Sequence, residues 1–362
     1  MNPHAYAMIM AGGRGERFWP LSTAKRPKQL LSLVGGEALL AAAVRRLLPI
    51  MPANRIYVIT TDALVKASRA AVPLLPPENV IGEPCGRDTA AAIALGAALI
   101  KARDPESVFA VLTADQVMRD EDAFRRTLSA GLELAAQHDV LITIGIAPTY
   151  PSTGFGYIRL GAQVGATDGI VFHKAEQFLE KPDADTARQF VQSGRYVWNG
   201  GMFIWSVACI ERALRRFRPP LGALMDALAP AIGMPQWETT LAAAYGGLER
   251  ISIDYAVMEK AGNIWTARGD FGWDDVGSWS ALERHFAPDA EGNVLVGDGA
   301  EQLGSRDNLV VANGRLTALL GVKDLIVVQA EGATLVCTRE RAEDLKKLLA
   351  ALHAKGCYEG LM

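Results

Sequence analysis

The chain has little cysteine: four residues among 362, Cys85, Cys209, Cys337 and Cys357, scattered and without a CxxC pair. That excludes a disulfide scaffold and a zinc-knuckle site, and reads as the thiols of a reducing compartment. It also lacks a charge excess, with 37 Lys and Arg against 40 Asp and Glu and a net charge of −3. A general nucleic-acid binder carries a broad positive field, so that class is excluded, whereas a polyanionic small molecule needs only a local cationic cluster. Long apolar runs are missing too. Stretches such as Ala90–Ile100 fall well short of the ~20 residues that span a bilayer, and Met1–Met10 shows no charged segment ahead of a long apolar core, so no signal peptide is expected. The five histidines, His4, His138, His173, His285 and His353, form no evident cluster. The expectation is a cytoplasmic protein with neither a nucleic acid nor a membrane as partner.

What is present is apolar residue in quantity, 50% of the chain, enough for one large α/β domain with an appendage or for two ordinary domains. Ala5–Met10, Arg55–Thr60, Ser107–Leu112 and Val140–Ile146 read as buried strands. Leu39–Leu48, Ala63–Ala71, Thr89–Lys101 and Asp122–Gln137 have helical period. Such alternation predicts a largely parallel sheet covered by helices. From 157 to 205 the texture shifts to strand-like runs at Tyr157–Leu160, Gly169–Glu180 and Val197–Trp205, interrupted by a helix near Ala184–Ser193. Helices are expected at Val207–Arg216 and Asp254–Ala261. Beyond Pro288, short Val-, Leu- and Ile-rich runs separated by Gly, Asp and Asn predict a compact β appendage with one or two β-helix coils, closed by a helix at Arg339–Ala354. The predicted boundaries are 1–287 for the main domain and 288–362 for the appendage.

The most informative stretch is 11–20, Ala-Gly-Gly-Arg-Gly-Glu-Arg-Phe-Trp-Pro, directly after the first strand. Glycines let backbone N–H groups approach phosphate closely, and such a nest attracts anions without side-chain charge. Arg14, Arg17, Lys25, Arg26 and Lys28 then concentrate positive charge in the same loop. A dinucleotide fingerprint fails because Glu16-Arg17 stands where its third Gly belongs, and a Walker loop fails for want of Gly-Lys-Ser/Thr. The plainer reading is a Gly-rich turn with solvated arginines. Asp115, just past a buried strand, points toward the usual ligand crevice of an open sheet; its plainer reading is a turn or helix cap.

Taken in order, several segments resemble the sugar-phosphate nucleotidyltransferases, and in particular the mannose-1-phosphate guanylyltransferase family. They are Ala11–Arg17 with Trp19–Ser22 and Pro27-Lys28-Gln29; Gly82-Glu83-Pro84 with Arg87–Ala90; Thr113-Ala114-Asp115; Gly154–Ile158; Phe178–Pro182; Trp198–Phe203; Ser252–Tyr255; and Gly272–Trp279. The resemblance implies a Rossmann-like, GT-A-like domain with a mixed, mostly parallel sheet and a small C-terminal β-helix-like domain. It implies GTP and mannose 1-phosphate as substrates, Mg²⁺ as cofactor and a homodimer. By the same resemblance Arg14 and Lys28 contact the triphosphate, Lys181 the sugar phosphate, and Asp115 and Asp275 hold the metal. Gly12, Gly13, Gly15, Arg17, Glu83, Arg87, Asp88 and Thr89 match the nucleotide-binding region; Gly156, Glu180 and Asn199 match the sugar region. Asp274 is the alternative to Asp275 within its pair, and Val276-Gly277-Ser278 favours Asp275.

The chemistry so implied joins two anions. A sugar-phosphate oxygen attacks the α-phosphorus, and pyrophosphate leaves. The attacking phosphate, with a second pKa near ~6, is largely ionised at neutral pH and needs no general base. Fixed cations and a divalent ion offset repulsion and leaving-group charge. The pattern departs from the family at Gln116, Asp88 and 330–333, and at 362 residues the isomerase activity of longer bifunctional relatives is not expected. Another sugar or base, or a non-catalytic nucleotide-sugar sensor, are the alternative functions; retention of Asp115, Asp275, Arg14 and Lys28 argues against the sensor. Trp198, Trp273 and Trp279 are expected to pack rather than to stack on ligand.

Overall fold

The computed structural model describes residues 2–13, 15–356 and 358–361. By its internal contacts the chain forms two compact units, one of Met1–Gly12, Ala43–Ala114 and Met118–Trp273, the other of Gly13–Ala42, Asp115–Val117 and Asp274–Met362. Among the described residues no helix is long and apolar enough to cross a membrane.

The first unit is built on a nine-stranded sheet. Its strands are β1 (Ala5–Met10), β2 (Ile56–Thr61), β3 (Val80–Glu83), β4 (Val108–Thr113), β5 (Leu141–Ile146), β6 (Tyr157–Thr167), β7 (Ile170–Leu179), β8 (Tyr196–Ser206) and β9 (Ile264–Gly269). They lie in the order β3-β2-β1-β4-β8-β5-β9-β7-β6. The half containing β3, β2, β1 and β4 is parallel. These strands are almost continuously apolar because helices cover both faces. In the other half, β8 runs antiparallel between β4 and β5, while β9 lies parallel to β5 and antiparallel to β7. The result is a mixed sheet with helices.

Helix α1 (Asp88–Arg103) is buried along most of its length, from Ala90 to Ala98 and again at Ile100. Its small residues let it lie close on the sheet: a Cβ at Gly96 would overlap Met8. Helices α2 (Val207–Phe217), α3 (Pro219–Leu228) and α4 (Trp237–Gly246) add their apolar faces to the same core. Strand β9 and helices α3 and α4 were not anticipated from sequence. Their segments are short, and prolines at 219, 220 and 230 blur the helical period. The helix expected at Asp254–Ala261 is instead one π-helical turn, Asp254–Met258.

The second unit has its own core. Phe18, Trp19, Leu31 and Leu33 pack with Val276 and Trp279 and with Val294, Leu309, Ile326 and Leu335. The loop after β1 therefore shares a core with the C-terminal β region. There β10 (Val294–Val296), β12 (Leu309–Val311) and β14 (Leu325–Gln329) stack in parallel, and β15 (Thr334–Thr338) closes the stack antiparallel; β11 (Ala300–Leu303) pairs in parallel with β13 (Thr317–Leu320). Successive coils turn at equivalent corners, where Gly292, Asp307 and Asp324 all have positive φ. A buried amide ladder ties the corners, Asn308 Nδ2 donating to Asn293 Oδ1 at 2.8 Å and Leu325 N to Asn308 Oδ1 at 3.0 Å. This is the β-helix-like texture expected from the Gly, Asp and Asn punctuation. The last helix is α5 (Leu345–Lys355), entered through a 3₁₀ segment, Arg339–Asp344.

Candidate active site

In the second unit the loop after β1 and the strand-end carboxylate expected from sequence come together on one lysine. Lys28 is buried, and its Nζ donates to Asp115 Oδ2 at 2.9 Å and to the Asp275 carbonyl at 2.7 Å. Gly15 makes this possible. Its φ of 63° suits a residue without Cβ, and a Cβ there would overlap that of Lys28 and sit 2.8 Å from the Lys28 nitrogen. Arg17 is exposed and, among the described residues, hydrogen-bonds only to the Gly277 carbonyl, at 3.5 Å, a bracing contact. Gly13 is exposed with open space where a Cβ would stand. Arg14 lies outside the described residues.

Asp274 and Asp275 differ in their partners. Asp274 receives a two-pronged bond from Arg284, at 3.0 and 2.9 Å, a third from the Val276 N–H at 2.8 Å, and lies 3.3 Å from His285 Nε2. Against the opposing effect of burial, these bonds hold its carboxyl down at about 2. Its oxygens are committed to holding the turn, in which Val276 takes a φ of 43°, costly for a β-branched residue. The turn presents Asp275. Burial pushes the Asp275 carboxyl above its ordinary value; the Lys28 ammonium pulls it back, and the negative fields of Asp274 and Asp115 push it up again. Gly277 leaves the room this carboxylate needs, since a Cβ there would lie 2.6 Å from Asp275 Oδ2. Asp115 and Asp275 form an all-oxygen donor pair suited to a hard divalent ion that keeps waters and substrate oxygens in its shell. Among the described residues no group of three or more His, Cys, Asp or Glu could hold a metal.

In the first unit Glu180, Asn199 and Gly156 are neighbours. Glu180 follows β7, and its side chain is 10% exposed; Lys181, left-handed at φ 48°, is 58% exposed with Nζ 3.3 Å from Glu180 Oε1. Glu180 Oε2 is buried and, among the described residues, without a hydrogen-bond partner. Burial first, and the Asp254 carboxylate second, lift this carboxyl to about 7, with Lys181 opposing. A Cβ on Gly156 would overlap that same Oε2 and come within 3.2 Å of Asn199, so glycine is required by a close approach. Asn199 sits at an irregularity of β8, where Gly201 has a φ of 66°. Its Nδ2 donates to Asp254 Oδ1 at 2.8 Å, and its Oδ1 accepts from Thr143 Oγ1 and the Gly201 N–H, both at 3.2 Å. The carbonyl is therefore spent inside the protein and one amide hydrogen is left to offer.

A second cluster of the first unit joins β3 to the start of α1. Glu83 is buried and accepts a hydrogen bond from the Tyr245 hydroxyl. Burial lifts its carboxyl to about 7, the Tyr245 bond opposing and Asp88 and Asp62 adding. Gly12, two residues past β1, would bring a Cβ within 3.5 Å of Glu83 Oε2. Asp88, at φ 66°, accepts from the Thr89 N–H at 2.8 Å. Arg87 donates to the Gly246 carbonyl, and Thr89 Oγ1 accepts from the Ile253 N–H at 2.8 Å. Both thus pin 246–253. The tryptophans pack as expected: Trp279 against Phe18, and Trp198 and Trp273 around Phe155.

Asp254, Glu259 and Tyr245 bond to Asn199, Glu180 and Glu83, and neither periodicity nor resemblance assigns them a role. Asp254 lies within Ser252–Tyr255, where the resemblance implies no role for it, whereas Tyr245 lies in an alanine-rich helix whose sequence carries no sign of a buried carboxylate partner.

A mixed α/β sheet with a glycine-dependent loop, a buried lysine on two acidic residues, and buried carboxyls at its strand ends is the equipment of an enzyme that handles anionic, hydroxyl-rich substrates. The chain belongs to the Nucleotidyl transferase family, whose model matches residues 6–292, and the MannoseP isomerase/GMP-like beta-helix domain matches 302–352. It is 37% identical over 367 residues to the mannose-1-phosphate guanylyltransferase of Escherichia coli (strain K12), covering 98% of this chain and 74% of that protein. It is 33% identical to the alginate biosynthesis protein AlgA of Pseudomonas aeruginosa, covering 97% of this chain and 73% of the relative. Among solved structures, a mannose-1-phosphate geranyltransferase from Thermus thermophilus matches with a TM-score of 0.85 and 37% identity, over 97% of this chain and 99% of that one.

Proposed function

We propose that the protein is a cytoplasmic, Mg²⁺-dependent guanylyltransferase that transfers GMP from GTP to α-D-mannose 1-phosphate, giving GDP-mannose and pyrophosphate, and that it works as a homodimer. The observation that carries the proposal is the buried ammonium of Lys28 bonded at once to Asp115 and to the backbone of Asp275. One fixed cation and two carboxylates at a glycine-dependent loop suit the management of a departing polyphosphate. Names borne by relatives over nearly the whole chain supply the substrates.

Asp115 and Asp275 are the residues that would hold Mg²⁺, which when bound neutralises phosphate charge and aligns the reacting oxygens. Lys28, with Arg14 of the same loop, receives the negative charge that builds on the leaving group, and Arg17 braces that loop. The N–H groups of Gly12, Gly13 and Gly15 approach the phosphates. Glu83 reads base N–H donors through Oε2, with Arg87, Asp88 and Thr89 shaping the same region. Lys181 engages the sugar phosphate. Glu180 accepts from a sugar hydroxyl, and Asn199 donates its free amide hydrogen to a sugar oxygen. Residues 1–287 carry the chemistry and 288–362 form the appendage. Pyrophosphate release from GTP, mannose 1-phosphate and Mg²⁺ tests the reading. No release with any nucleotide and sugar 1-phosphate pair overturns it, and a preference for ATP or UTP removes the guanine assignment.

A further inference from the structure

The π turn Asp254–Met258 starts at Asp254 and is capped by Glu259, the two residues that face the sugar region. In an α-helix, positions i and i+5 point to different faces, because 3.6 residues make a turn. Widening the turn by one residue brings them onto the same side. The widened turn is closed by the Glu259 N–H donating to the Asp254 carbonyl at 2.9 Å. Both carboxylates then have distinct tasks. Asp254 Oδ1 accepts from Asn199 Nδ2 at 2.8 Å, while Glu259 Oε1 accepts from the Glu180 backbone N–H at 3.1 Å. These bonds fix the two groups in different ways. The Asp254 bond, opposite the Thr143 and Gly201 bonds to the amide oxygen, decides which way the Asn199 amide faces. The Glu259 bond holds the backbone from which the Glu180 side chain projects, next to Lys181 in its left-handed conformation.

We infer that the Asp254–Met258 π turn is a positioning clamp for the sugar half of the substrate, with Asp254 orienting the Asn199 amide and Glu259 fixing the backbone of Glu180. Neither carboxylate needs to touch substrate. The inference rests on the assignment of Glu180 and Asn199 to the sugar under the proposed function. The turn's upstream neighbours, Ile251 and Ile253, meet Arg87, Thr89 and Ala90 through backbone groups. Loss of the Asp254 or Glu259 side chain leaves those bonds in place, so nucleotide binding is insulated from the change.

Steady-state kinetics of the whole chain with GTP, mannose 1-phosphate and Mg²⁺ test this, using D254A, D254N, E259A and E259Q beside E180A. D254A is expected to raise KM for the sugar phosphate about tenfold, and E259A about three- to fivefold, the scale of one lost hydrogen bond. KM for GTP should stay within about twofold. D254N and E259Q should restore the sugar KM, because their amide oxygens accept the same hydrogens. The clamp is overturned if D254A and E259A leave the sugar KM unchanged, if they raise both KM values alike, or if the amide variants behave as the alanine variants do. E180A separates the two levels: an unchanged sugar KM in E180A sinks the site assignment itself, whereas a raised KM in E180A with none in D254A or E259A sinks only the clamp.

Discussion

Replacing Glu180 by Gln removes a carboxyl that burial has lifted from an ordinary 4.5 to about 7. The sign follows from proton counting. Between those two values the folded protein keeps a proton that the unfolded chain has lost, so stability falls as pH rises across that window and levels off above it. A gap of roughly 2.5 pK units at about 1.4 kcal/mol each amounts to about 3.5 kcal/mol by pH 8. With the side chain only 10% exposed, solvent screening takes little from that figure. Gln is neutral at every pH and escapes this term. The melting temperature of E180Q relative to wild type should therefore climb between pH 5 and pH 8, by roughly 7–14 °C for a unit of this size. Glu83 also titrates near 7, but it is present in both proteins and cancels in the difference. Differential scanning calorimetry of the pair at half-unit pH steps reads the effect. Parallel curves would refute the reasoning, because they would mean that the Glu180 carboxyl is solvated. A functional counterpart uses the ratio of sugar-phosphate KM values, E180Q to wild type, in which the substrate's own ionisation cancels. That ratio should bend near pH 7, where the wild-type carboxyl changes from donor and acceptor to acceptor only.

Asp275→Asn should lower turnover at least a hundredfold, measured as pyrophosphate release, while the melting temperature holds or rises, because a partly desolvated charge is removed; equal loss of both would make Asp275 structural. Gly15→Ala should cost about 1–2 kcal/mol from its left-handed backbone alone, and more from overlap with Lys28, so chemical denaturation should show a clear loss of stability together with weaker GTP use; a neutral result would free Lys28 from dependence on the loop. Arg284→Met should destabilise by roughly 2–3 kcal/mol, below the range for a fully buried pair because Arg284 is half exposed, with the loss shrinking as pH falls toward 2 and Asp274 protonates; a pH-independent loss would assign the effect to packing.

The sequence by itself determined the alternation of strands and helices through β4, the α-helices at 184–193 and 207–217, the β-helix texture after Pro288 and the ordered motifs that placed the chain in its family. Each is written in local periodicity or in short spacing, which neighbours in the chain control. The tertiary structure decided what depends on partners distant in sequence. That Asp275 rather than Asp274 carries an available carboxylate follows from Arg284, His285 and a bond to Val276, and only the fold brings the guanidinium to Asp274. The insertion of β8 between β4 and β5, antiparallel, follows from hydrogen bonds between strands some 60 to 90 residues apart, which no local period records. The segment 13–42 shares a core with residues from 276 onward because Phe18, Trp19 and Leu31 bury their apolar surface there. Burial is likewise a property of the folded globule: the same carboxyl chemistry is shifted up at Glu180 and Glu83 and down at Asp274 by what surrounds each, and surroundings are assembled from the whole chain.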